Sequence, residues 1–196
     1  RDIIAEWINE EAAAREEIRE FYKSKALVRC RLLGGKEDEG QKYRDYFDWN
    51  EPLSKVPSHR LLAMRRGEAE GILILRIHPE EEDAQYKLER RFVRGVNSAS
   101  KQVKQAAEDA YKRLLGPSIE TEMRMDSKKQ ADEQAMQVFA DNLRELLLAS
   151  PLGEKTMLAV DPGYRTGCKT VALSAQGKLL HHDVLYLTAS EGEKME

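Results

Sequence analysis

Apolar residues recur at helical spacing from the first positions of the chain. Ile4, Trp7, Ile8, Ala14, Ile18 and Phe21 alternate with Glu and Arg, and Asp2 stands ahead of them as a cap. The spacing predicts one amphipathic helix that needs a partner. Leu27 to Leu33 is short, apolar-rich and stopped by Gly34-Gly35, which predicts a strand. Gly71-Ile-Leu-Ile-Leu-Arg-Ile-His78, closed by Pro79, predicts a second strand and an antiparallel pair with the first. Between them, Pro52 and Pro57 bracket a linker, and Ser58 is expected to cap a helix from His59 that Gly67 ends. Glu80–Val96 and Ser98–Leu115 predict two helices broken near Gly95-Val96-Asn97, with Ser98 as the second cap. Gly116-Pro117 is expected to stop that helix and Pro117-Ser118 to open another. The new helix covers Ile119 to Ala149, with the stripe Met136, Phe139, Leu143, Leu146 and Leu147; its polar stretch Ser127–Gln134 is expected to be exposed.

After Gly153 the period changes from helix to strand. Thr156–Val160, Lys169–Ser174 and Lys178–Leu187 predict three strands, with a tight hairpin at Ala175-Gln-Gly-Lys178. Ser150-Pro151-Leu152-Gly153 marks the boundary, giving domains 1–152 and 153–196. The fold class is a mainly α, multi-helical body with a small antiparallel β pair. It is followed by the first three antiparallel strands of an α/β ribonuclease-H-like domain, most of which would lie beyond residue 196.

Composition narrows the chemistry. The 196 residues are 41% hydrophobic and 34% charged, with a net charge of -3, which argues against a strongly basic nucleic-acid module but leaves room for a local basic face. Cys30 and Cys168 are far apart with no CxxC, which excludes a zinc knuckle and fits a reducing compartment. No apolar stretch approaches the ~20 residues of a membrane span, and no signal peptide is evident, so no membrane partner and a cytoplasmic location are expected. The chain starts at Arg1 without Met and ends in a polar segment, so it is expected to be an excerpt of a longer protein.

Asp161 is the first candidate for chemistry. It leaves an apolar strand directly into Pro162-Gly163, ahead of a loop with Arg165, Gly167 and Lys169. Arg165 and Lys169 could hold phosphate oxygens by charge-assisted hydrogen bonds, and Gly163 and Gly167 would let the backbone approach. The competing reading is a structural turn in which Asp161 accepts backbone N–H bonds and pairs with Arg165. Lys87, Arg91 and Arg94 share a predicted helix face, and Lys101 and Lys104 make a second basic pair; together they could track a phosphate backbone. The acidic run Glu80–Asp83 beside them favours plain solvated charge. Tyr43, Tyr46, Phe47 and Trp49 could stack bases, but Tyr43, Tyr46 and Phe47 have the spacing of a buried helical stripe. Gly34–Gly40 is not a phosphate loop, because Glu37 follows Lys36 where Ser or Thr is needed. His59 and His78 receive no role.

The run Asp161-Pro-Gly-Tyr-Arg-Thr-Gly-Cys-Lys169 resembles a signature of the Tex family of bacterial transcription accessory proteins, where it opens a ribonuclease-H-like domain called the YqgF-homologous domain. Gly35-Lys-Glu-Asp-Glu-Gly-Gln-Lys-Tyr-Arg-Asp-Tyr-Phe47, Pro57-Ser-His-Arg60, Arg66-Gly67, Glu70-Gly71, Glu133-Gln-Ala135, Phe139-Ala140 and Asn142-Leu143 also resemble Tex. The resemblance implies an N-terminal helical region, the YqgF-like domain, helix-hairpin-helix elements and an S1 domain. It also implies RNA or DNA binding through the full-length protein, and RNA polymerase or a transcription complex as a partner. This chain corresponds to the helical region and the first YqgF-like strands.

Ribonuclease-H-like nucleases hold divalent metals on two or more carboxylates. Asp161 occupies the first such position, and Asp183 is the nearest other candidate, with no family motif behind it. One carboxylate cannot build a two-metal site, so no catalytic residue, no metal ligand and no cofactor are expected, and a divalent metal enters only with the nuclease alternative. Three readings stand: a non-catalytic nucleic-acid-binding piece of a transcription accessory factor, a scaffold docking the transcription machinery, and part of a metal-dependent nuclease. The first is preferred.

Overall fold

The computed structural model describes residues 1–163 and 166–186. The chain separates into two units, Arg1–Asn142 and Leu143–Glu196.

The first unit opens with two helices where periodicity predicts one. α1 (Asp2–Glu10) and α2 (Ala12–Lys25) are divided at Glu11, which leaves the helical region (φ -70, ψ 111) and caps α2 by accepting from Ala14 N at 2.5 Å. A carboxylate at that point satisfies a helix-end donor that a continuous helix would not have exposed. The break turns Trp7 outward, to 68% exposure, while Ala5, Ile8, Ala14, Ile18 and Tyr22 are buried.

The expected β pair is present, between β1 (Leu27–Leu32) and β3 (Leu73–His78), and gains a third strand. β2 (Asp48–Pro52) pairs antiparallel with β1, so the strand order is β2-β1-β3. Trp49 and Pro52 therefore belong to a strand, and the 3-10 turn Gln41–Tyr46 precedes it. Tyr43 is buried with its hydroxyl on Glu70 Oε1 at 2.9 Å, and the Arg60 guanidinium lies 4.5 Å over the Trp49 ring. The aromatic cluster thus packs into the core around a turn and an edge strand rather than along a helix.

α3 (Ser58–Ala69) follows. Pro57, not Ser58, is its N-cap, and the helix runs through Gly67. Gly67 is buried because a Cβ there would lie 2.5 Å from Leu73 Cδ1; it serves helix–sheet approach, not termination. Gly71, with φ +69, makes the turn into β3. β3 is a sheet edge, and a later helix covers it: Ile77 N donates to Glu120 Oε1 at 3.0 Å, and Arg124 donates to the Leu75 carbonyl while gripping Glu68 with 2.6 Å and 2.7 Å bonds. Blocking the unpaired backbone groups this way removes an edge open to foreign strands.

α4 (Glu81–Phe92) and α5 (Ser98–Ala110) form a helical hairpin. Asn97 rather than Ser98 caps α5, its side chain accepting from Ser100 N at 2.8 Å. The expected stop at Gly116-Pro117 does not occur. A single π turn, Tyr111–Leu115, joins α5 to α6 (Gly116–Leu148). Gly116 N donates to Tyr111 O, and this wider ring shifts the register just ahead of the proline, so the helix passes the missing N–H of Pro117. A Cβ on Gly116 would sit 2.8 Å from Tyr111 O, and the Tyr22 and Tyr111 hydroxyls meet at 3.1 Å beside the turn. The core of the unit is Ile18, Tyr22, Val28, Met64, Leu75, Ile77, Leu88, Leu115 and Ile119. Along α6 the expectation is partly reversed: Ala131, inside the polar stretch, is buried, whereas Met136, Phe139, Leu146 and Leu147 are exposed.

The second unit contains an antiparallel meander of β4 (Met157–Asp161), β5 (Cys168–Leu173) and β6 (Leu179–Leu185) in the order β4-β5-β6. These match the three predicted strands within a residue or two, except that Leu187 lies outside the described residues. The hairpin at Ala175–Lys178 closes through Gly177 N on Ser174 O at 2.9 Å, with Gly177 at φ +77.

Candidate nucleic-acid interface

Asp161 ends β4 directly opposite Lys169, the second residue of β5. Directly paired residues of an antiparallel ladder project from the same face. The register therefore groups Asp161 with Ala159, Lys169, Val171, His182 and Val184. Asp183 pairs with Thr170, which pairs with Val160, so it belongs to the opposite face with Leu158 and His181. Its backbone carbonyl accepts from Thr170 Oγ1 at 3.1 Å, and its carboxylate accepts from Val184 N at 2.7 Å. A divalent metal requires carboxylates converging on one point. Asp161 has a lysine beside it and its candidate partner on the other face, so Asp161 and Asp183 do not make a metal pair. No group of three or more metal-ligand side chains occurs among the described residues.

The glycines of the same turn are explained by packing. Gly167 is buried at φ +79, and a Cβ there would lie 2.5 Å from Val184 Cγ1. A Cβ on Gly163 would meet the Gly167 carbonyl oxygen and Thr166 Oγ1, each at 2.5 Å. The turn thus closes on itself, and Asp161 and Lys169 are exposed at its mouth. Arg165 lies outside the described residues.

The predicted basic face is divided by the fold. Lys87 Nζ approaches Glu17 at 3.8 Å and lies 5.1 Å over the Phe21 ring. Arg91 bridges Glu11 at 3.2 Å and Glu17 at 3.4 Å, so both cations bind α4 to α2. The Arg91 hydrogen bond is the main reason the Glu11 carboxyl sits below its ordinary pKa. Arg94 lies past the end of α4, and its carbonyl accepts from Ser100 Oγ at 2.6 Å. Lys104 pairs with Glu89 at 2.9 Å.

Three exposed cations of this hairpin, Arg90, Arg94 and Lys101, make no ion pair among the described residues. They stand within Arg90–Ala107, which carries Arg90, Arg91, Arg94, Lys101 and Lys104 and no Asp or Glu. Val96 at the tip is 96% exposed, and Tyr86, one turn before Arg90, is 63% exposed. Tyr86 and Arg90 escaped the sequence reading. The acid-free run that begins at Arg90 and the i, i+4 spacing of Tyr86 and Arg90 are the signals in the sequence, and Lys87 and Arg91 occupy the neighbouring stripe.

Comparison with known proteins agrees with both units. A family description, "Tex central region-like", matches residues 1–139, and "Tex protein YqgF-like domain" matches residues 155–196. The chain is 40% identical over 188 residues to "Uncharacterized protein YdcI" of Bacillus subtilis, covering 95% of the chain and 26% of that protein. It is 36% identical over 195 residues to "Transcriptional accessory protein Tex" of Neisseria gonorrhoeae, again covering 95% of the chain and 26% of the relative. With the human "S1 RNA-binding domain-containing protein 1" it is 29% identical over 163 residues, 80% of the chain and 16% of that protein. The chain thus spans about a quarter of the length of its bacterial relatives. Since one family description covers most of the helical unit and a second begins just before the β4-β5-β6 sheet, this chain belongs to the Tex family.

Proposed function

We propose that this chain is a non-catalytic, nucleic-acid-binding part of a transcription accessory protein. The carrying observation is the α4–α5 hairpin, which displays Arg90, Arg94 and Lys101 without an ion pair among the described residues, within an acid-free run. Such cations gain by replacing the counterions condensed on a phosphate backbone, whether of DNA or RNA. The names of the Neisseria and human relatives, a transcriptional accessory protein and an S1 RNA-binding domain protein, point the same way. The reading needs no cofactor. It assigns Lys87 and Arg91 to fixing α4, and leaves Asp161, Gly163, Gly167 and Lys169 to shaping the β4–β5 turn. It sets the nuclease alternative aside because Asp161 and Asp183 emerge on opposite faces.

We infer a cytoplasmic setting, with RNA polymerase or a transcription complex as a partner, from what membership of the Tex family implies. No helix of the described residues is long and apolar enough to cross a membrane. Docking onto the transcription machinery is a second reading, favoured by the exposed Met136, Val138 and Phe139 on α6.

The test is binding of the full-length protein to single-stranded RNA and duplex DNA over a salt series, with Arg94→Glu and Lys101→Glu in the same background. The expected result is a salt-dependent affinity whose log–log slope falls by about one per removed phosphate contact. Unchanged affinity and slope in both variants would remove the hairpin from the interface.

A further inference from the structure

The α4 surface beside the free arginines carries more than charge. A groove of about 460 Å³ lies between α2 and α4, lined by Glu17 and Phe21 of α2 and by Asp83, Tyr86, Lys87, Arg90 and Arg91 of α4. Phe21 lines it, with Lys87 Nζ 5.1 Å over the ring. Tyr86 lines it too and is 63% exposed, although an exposed aromatic on a helix contributes little to the core. Asp83, Tyr86 and Arg90 follow one another at helical spacing, so all three line the same side of α4.

We infer that this groove takes an unpaired base of a single-stranded nucleic acid, stacked on Tyr86, while the adjoining phosphates lie against Arg90 and Arg94. The inference rests on the nucleic-acid reading above and specifies its ligand. An exposed tyrosine beside an uncommitted arginine supplies the two parts such sites use, a π face for the base and a cation for the backbone. Bases in a duplex are already stacked on one another and cannot enter a groove on a helix side; a splayed base can. The two acids do not oppose this arrangement. Glu17 is neutralised by Lys87 and Arg91. Asp83 makes no ion pair among the described residues and can accept from a base amino group. The site lies wholly within the first unit.

The test compares full-length wild type, Tyr86→Ala, Tyr86→Trp and the double variant Arg94→Glu/Lys101→Glu. Each binds an oligo(A) single strand and a duplex of equal length across a salt series, with thermal melting as the folding control. Tyr86→Ala is expected to weaken single-strand binding about tenfold with an unchanged salt slope and unchanged duplex binding, and Tyr86→Trp to restore it. Equal binding of strand by Tyr86→Ala and wild type, with the charge variant impaired, overturns the base site and leaves the phosphate reading standing. Equal losses for strand and duplex in Tyr86→Ala also overturn it. No binding by wild type to either probe overturns both.

Discussion

The two units fold strands by the same rules and end with opposite surfaces. In the first, the β2-β1-β3 sheet buries Val28, Cys30, Leu73, Leu75 and Ile77 against helices, and α6 side chains block the edge of β3. In the second, β4-β5-β6 is equally regular, yet Leu158, Val160, Leu180 and Val184 are exposed, and Thr170 is the one buried strand residue among those described. Backbone pairing and alternation thus make a sheet in either setting, while burial depends on what covers it. The difference separates the candidate sites too. The α4–α5 hairpin is held by a packed core, whereas Asp161 and Lys169 sit on a sheet with little buried surface of its own.

Truncating equivalent leucines should give the largest contrast. Leu115→Ala removes a fully buried side chain at the π turn and is expected to cost ~2–5 kcal/mol in urea denaturation. Leu158→Ala, at 72% exposure, is expected to stay within ~0.5 kcal/mol. A Leu158→Ala loss as large as that of Leu115→Ala would break the comparison, since it would mean the sheet face is covered.

Glycine substitutions test the same contrast at smaller size. Gly67→Ala forces a Cβ against Leu73 and is expected to lose ~1–3 kcal/mol through overpacking. Gly177→Ala meets open space and pays only for its positive φ, about 1 kcal/mol. Glu120→Ala falls between them, because it strands the Ile77 N–H at the covered edge of β3, at ~1–2 kcal/mol. Thermal shifts largest for Gly67→Ala, intermediate for Glu120→Ala and smallest for Gly177→Ala would support the assignment of packing, edge and turn roles.

The two cysteines give the finest probe, one in each unit. Burial pushes the Cys30 thiol from its usual 9.0 up to about 12, while Cys168 is only half-buried. A thiol reagent at pH 8 is expected to label Cys168 in the native protein and Cys30 only on unfolding. The Cys30 pKa is higher folded than unfolded. Its contribution to stability is therefore complete below pH 9, and is lost as pH rises through the window from 9.0 to about 12. Native labelling of Cys30 at the Cys168 rate would mean that β1 opens as readily as β5.

Much of this architecture is legible in the chain. The alternation of Leu73–His78, the strand–turn–strand grammar after Gly153 and the presence of helices over α3, α4 and α5 read correctly, because each follows from side-chain spacing along one segment. The run Asp161–Lys169 also lies within one segment, and its resemblance to the Tex signature agrees with the family found by comparison. What failed depended on neighbours. Glu11 breaks the first helix by capping the second, and Gly67 continues a helix because Leu73 must approach it. Pro117 is passed by a π turn beside Tyr22, a residue some ninety positions away in sequence. The site divides the same way. Basic residues near position 90 were visible in the sequence, but their commitment was not. Only the packing of α2 on α4 shows that Glu11 and Glu17 occupy Lys87 and Arg91, while Arg90 and Arg94 make no ion pair among the described residues. Only the strand register shows that Asp161 and Asp183 emerge on opposite faces. Local periodicity is a property of a segment and can be read from it. Which charges are neutralised and which carboxylates converge are properties of pairs, and the tertiary structure alone brings those pairs together or keeps them apart.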